Sequence, residues 1–76
     1  MARNAAIALG NAQDPATVPA LVQALNTDPE SLVRGAVAWA LGQIGTSQAR
    51  KALEAAQERE SDPEVVEEIR LALAGE

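Results

Sequence analysis

The chain repeats itself. Shifted by 32 residues along its own length, its apolar positions fall on one another: Ile7 on Trp39 and Leu71, Ala8 on Ala40 and Ala72, Leu9 on Leu41 and Leu73. Ala5 falls on Val37 and Ile69, and Gly10 on Gly42 and then Ala74. A second set obeys the same shift, pairing Ala20 with Ala52, Leu21 with Leu53 and Ala24 with Ala56. Two kinds of segment therefore alternate at a fixed period. A period of this length marks one supersecondary unit per repeat, which cannot bury its apolar face alone and is stabilised by stacking on its neighbours.

The segments read as helices. Ala and Leu dominate, Trp39 is the one aromatic residue, and β-branched residues are sparse, a composition that favours helix over strand. Asp14-Pro15, Asp28-Pro29 and Asp62-Pro63 each set an acid before a proline. The carboxylate accepts from free backbone N–H groups, and proline at the first helical position has none to leave unsatisfied. Thr46-Ser47 offers a hydroxyl cap at a fourth start, and Gly45 suits the left-handed residue that ends a helix. The expected helices run 2–12, 15–26, 29–44, 47–60 and 63–74, with links short enough to force antiparallel neighbours. The prediction is an all-α superhelix of five helices, a single domain over 1–76, divided into a half repeat 1–13 and full repeats 14–45 and 46–76.

The central segment carries two apolar stripes at helical spacing. One is Val33, Val37, Ala40, Leu41 and Ile44; the other is Leu32, Ala36 and Trp39. A helix apolar on two sides is expected to be covered on two sides. Gly42 falls inside this helix, where glycine costs about 1 kcal/mol relative to alanine, so close approach of a neighbouring backbone is the expected reason for it.

What the chain lacks narrows its chemistry. It has no Cys and no His, so it offers no disulfide, no thiolate metal or iron–sulfur site and no imidazole base. No stretch reaches membrane-spanning length, and a cytoplasmic address is the easier fit. The net charge of −5 is unevenly placed. Residues 1–57 hold four basic and four acidic side chains, whereas 58–76 hold two basic and seven acidic ones. That acidic end would repel a phosphate backbone; it is read as a solvated face or an acidic docking patch. The pair Glu64 and Glu68 is read as solvated rather than as an acid–base pair, and glycines 42 and 45 end a helix, the wrong polarity for phosphate binding.

The run Asp28-Pro29, Val33-Arg34 and Ala38-Trp39-Ala40-Leu41-Gly42-Gln43-Ile44-Gly45 resembles the second-helix signature of short bacterial HEAT repeats. A narrower likeness rests on Arg3-Asn4-Ala5-Ala6-Ile7-Ala8-Leu9-Gly10-Asn11, on Leu32-Val33-Arg34-Gly35, and on Asp62-Pro63-Glu64-Val65 with Glu67-Glu68-Ile69-Arg70-Leu71-Ala72-Leu73. These resemble the C-terminal HEAT-like region of bacterial epoxyqueuosine reductase. That resemblance implies a parent whose upstream catalytic part carries cobalamin and iron–sulfur clusters and converts epoxyqueuosine to queuosine in tRNA. It implies no activity, and no cofactor site, for this chain. Its partners would be the upstream catalytic part of the same polypeptide and tRNA, with no membrane. The Val-Arg pair is complete only at Val33-Arg34; its Arg positions in the flanking repeats are Ala2 and Val66, so no continuous Arg ladder is expected. The other reading is a generic protein–protein interaction module, natural or designed.

Candidate interaction residues follow from the repeat. If Ala5, Val37 and Ile69 face the core, then Ile7, Trp39 and Leu71 lie about 200° further around their helices and form an apolar row on the concave face. The row is either a docking strip anchored by Trp39 or packing between repeats. Arg34 would pair with Asp28 or cap nearby carbonyls, or contact a phosphate together with Arg3. Arg50 and Lys51 are expected in solvent. The stripe Ala5, Ala8, Leu9 and Ala12 of the half repeat lacks a cover, which predicts either a longer native chain or self-association through that end.

Overall fold

The computed structural model describes residues 1–75; Glu76, counted in the acidic end, lies outside the described residues. Five α-helices follow in order: α1 (Arg3–Ala12), α2 (Val18–Thr27), α3 (Ser31–Ile44), α4 (Ser47–Arg59) and α5 (Pro63–Ala74). A single 3-10 turn, Pro15–Thr17, leads into α2. Helices α1, α3 and α5 stack side by side with α3 in the middle, and α2 and α4 form a second layer behind them. This is the alternation that the 32-residue shift requires, in a body of 28 × 24 × 17 Å.

The core lies between the layers, and its residues come in repeat-related pairs. Leu21 and Leu53, Val33 and Val65, Val37 and Ile69, and Ala6 and Ala38 are all buried. The first stripe of α3 enters this core through Val33, Val37, Ala40 and Leu41, while Ile44 packs at its edge. Ala5 departs from its expected place: it is exposed, and Ala6 takes the buried position. The reason is that α1 packs chiefly on α3, so the side on which Ala5, Ala8 and Ala12 sit is uncovered.

Small residues set the spacing within the stack. A methyl on Gly10 would lie 2.9 Å from Ala40 Cα, and one on Gly42 would lie 3.0 Å from Ala72 Cα. The two contacts are one repeat apart, and they account for Gly42 as close packing of α3 on α5.

The helix ends follow the repeat more faithfully than single-residue signals suggest. Asp14 accepts from Ala16 N–H, Thr46 Oγ1 from Ala49 N–H, and Asp62 from Glu64 and Val65 N–H. Asp28 does not open α3. Its own N–H closes α2 on the Ala24 carbonyl, and α3 begins at Ser31 with Glu30 at the cap position, 32 residues before Asp62. Glu30 makes no side-chain cap bond. Gly45 ends α3 at φ +70°, and Gln13, one repeat earlier, ends α1 in the same left-handed region at φ +54°.

Candidate interaction groove

Along α3 the residues Leu32, Gly35, Ala36 and Trp39 fall on one face, and α1 and α5 rise on either side. Between them is an open groove of about 500 Å³. It has depth because Gly35 and Ala36 are small. Arg3 and Ile7 form the α1 wall; Glu64, Glu67 and Glu68 stand on the α5 wall. The expected cover over the second stripe of α3 is only partial: Leu32 is 68% exposed, while Ala36 and Trp39 are half-buried against the core.

Trp39 has two roles in this geometry. Its ring leans across onto α1, where a methyl on Gly10 would meet Cζ3 at 2.5 Å. It therefore helps fill the joint between repeats, as the packing reading required. It also closes one end of the groove. Leu71, 49% exposed, lines an adjoining shallow hollow of about 130 Å³ with Trp39 and Ala72. Ile7 and Trp39 line the groove, and Trp39 and Leu71 line the hollow, so Trp39 stands between the other two. Leu32 also lines the groove, and its signal was present in the second apolar stripe.

Arg3 and Arg34 are not brought together. Arg3 lines the groove. Arg34 reaches back between the layers, where Nε and Nη2 donate to the two Glu60 carboxylate oxygens at 2.9 and 3.0 Å and Nη1 donates to the Asp28 carbonyl at 2.9 Å. The guanidinium thereby links the last residues of the α2 and α4 segments to the first turns of α3. Its hydrogen bond holds the Glu60 carboxyl below its ordinary 4.5, with a backbone N–H from Asp62 adding to the effect, and in return the Glu60 carboxylate raises Arg34 above its ordinary value. Asp28, one repeat before Glu60, has no guanidinium partner because Ala2 stands one repeat before Arg34; the Met1 ammonium donates to it instead at 3.0 Å. The Asp28 carboxyl sits below its ordinary 3.8, first through the Glu30 backbone N–H and then through that ammonium.

Two other basic residues are tied to helix ends. Arg50 is half-buried rather than solvated, donating to the Leu73 carbonyl in the last turn of α5 at 3.2 Å, where a cation also meets the negative end of the helix dipole. Arg59 bridges the ends of α4 and α2 by donating to Asn26 Oδ1. Lys51 is exposed. Among the described residues no group of three or more His, Cys, Asp or Glu side chains could hold a metal ion, and no helix is long and apolar enough to cross a membrane.

The comparisons with known proteins agree with this architecture. The epoxyqueuosine reductase of Bacillus cereus is 42% identical over 67 residues, which is 88% of this chain and 18% of that protein. An uncharacterized protein of Geobacillus stearothermophilus is 42% identical over 67 residues, 31% of its length. A crystal structure of selenomethionine-labelled epoxyqueuosine reductase superposes with a TM-score of 0.89 at 38% identity, covering 95% of this chain and 19% of that one. The chain thus spans less than a fifth of the reductases it matches. The model of HEAT repeats matches residues 1–74, and with two layers of helices alternating at a constant period the chain belongs to the HEAT-repeat family.

Proposed function

We propose that the chain is a non-catalytic HEAT-repeat scaffold, the C-terminal part of an epoxyqueuosine reductase-like enzyme of the cytoplasm that modifies tRNA, and that it supports the catalytic part. The observation that carries this reading is the 42% identity running over 88% of the chain. At 67 residues it extends well beyond a local motif. With neither Cys nor His, the chain offers no thiolate or imidazole ligand to the iron–sulfur clusters expected of such a parent, which supports a scaffold role.

Exchanging the matching segment of the Bacillus subtilis epoxyqueuosine reductase for this chain tests the reading. The chimera is expected to fold and to reduce epoxyqueuosine in tRNA, while deletion of the segment is expected to lower soluble yield or turnover. A deletion protein with undiminished yield and kinetics would overturn the scaffold role.

A second reading, a protein-interaction module, draws support from the groove, with Leu32 68% exposed beside Trp39. A tRNA titration at two salt concentrations separates direct RNA contact from protein contact. Salt-sensitive binding argues for tRNA. Its absence, beside a wall of three glutamates, argues for a protein neighbour.

A further inference from the structure

We propose that the groove over α3 docks a cationic amphipathic helix from a protein partner. The inference goes beyond the scaffold reading and holds whatever the parent protein is.

Its first support is the floor. Leu32, Ala36 and Trp39 fall on one face of α3 at i, i+4 and i+7, the spacing at which an apolar helix stripe interdigitates with another helix. Single exposed apolar residues are ordinary, but here a leucine that is 68% exposed lies beside the chain's only aromatic ring. The small Gly35 and Ala36 between them leave a recess of about 500 Å³. That volume admits several side chains rather than a whole helix, so the occupant lies across the mouth and inserts one stripe.

The second support is charge. Glu64, Glu67 and Glu68 stand on one wall, and no ion pair among the described residues engages Glu64 or Glu68. Glu67 pairs only with Arg70, and both side chains of that pair are more than half exposed, so exchanging the partner costs little. Lys or Arg side chains flanking the inserted stripe complement this wall, whereas a phosphate backbone is repelled by it. Arg3 stands on the opposite wall, where it can donate to the C-terminal carbonyls of the occupant helix and so set its direction.

Trp39 reports the event, because it is the single tryptophan. The probe is a Trp-free synthetic helix of about three turns, with Leu at i, i+3, i+4 and i+7 and Lys elsewhere. Its matched control carries Glu for every Lys. The Lys peptide is expected to shift the Trp39 emission saturably and to perturb backbone amides of Leu32, Gly35 and Glu68, with affinity falling as salt rises. Glu64→Gln with Glu68→Gln, or Leu32→Ser alone, is expected to weaken binding roughly tenfold. Glu58→Gln, on the exposed side of α4, should leave it unchanged. The proposal is overturned by any of four results: no saturable response to the Lys peptide, equal binding of the Glu peptide, equal loss in the Glu58 variant, or tRNA perturbing the same amides.

Discussion

Arg34 shows how much a single side chain contributes when its geometry is complete. It makes three charge-assisted hydrogen bonds, two to Glu60 and one to the Asp28 carbonyl, and the Glu60 side chain is only 8% exposed. Glu60→Gln keeps the shape and removes the charge, and is expected to cost about 2 kcal/mol, read as a lower melting temperature. The pH dependence has a definite sign. Glu60 is held below its ordinary value of 4.5 when folded, so its contribution is complete above that pH and is lost as the pH falls through the depressed folded value. The wild type should therefore lose more stability than Glu60→Gln between neutral pH and pH 3 or so; parallel acid profiles would contradict this. Gln13 is the opposite case. It adopts φ +54° at the position one repeat before Gly45, and a side chain there is strained. Gln13→Gly is expected to stabilise by about 1 kcal/mol, checked by chemical denaturation.

At the scale of helices, the repeat predicts where elements are strong and where they are weak. Asp62 caps α5 with two backbone N–H groups, whereas Glu30 in the equivalent place caps none, because its extra methylene carries the carboxylate past the first-turn amides. Glu30→Asp should gain about 0.5 kcal/mol and Asp62→Ala should lose about 1 kcal/mol. The α3–α5 joint is tighter. A methyl on Gly42 would sit 2.7 Å from Ala72 Cβ, so Gly42→Ala is expected to destabilise by about 1–2 kcal/mol despite its better helix propensity. Adding Ala72→Gly removes the methyl it strikes, and the double variant should be more stable than the sum of the single effects. Strict additivity would show that the contact does not set the spacing.

For the molecule as a whole, α3 packs on all four other helices, which leaves little room for one repeat to unfold alone. Unfolding followed by Trp39 fluorescence and by far-ultraviolet circular dichroism is expected to give coincident transitions. Two leucines of α3 test the difference between core and surface. Leu41 is fully buried, and Leu41→Ala should cost about 3 kcal/mol. Leu32 is 68% exposed, and Leu32→Ser should change stability by less than about 0.5 kcal/mol. A large loss at Leu32 would mean that it supports the fold rather than a partner surface.

Period and caps made most of the architecture legible before any coordinates. Residues 32 apart must play the same part, because a stacked repeat gives them the same neighbours. That placed Leu21 with Leu53 and Val37 with Ile69 in one core, and Thr46, Asp62 and Gly45 at helix ends. The surfaces were less legible. A helical wheel shows that Leu32, Ala36 and Trp39 share a face but not whether anything covers it, and here nothing among the described residues covers Leu32. It places Ile7, Trp39 and Leu71 at equivalent positions, but not the lean of the Trp39 ring onto Gly10. The partner of Arg34 was equally out of reach, because Glu60 lies 26 residues away and only the packing of α3 against the ends of α2 and α4 brings it within hydrogen-bonding distance. Repetition along the chain determines what each residue is equivalent to; the packed structure decides what each one touches, because side-chain direction, small-residue clearance and the uncovered groove exist only once the helices are stacked.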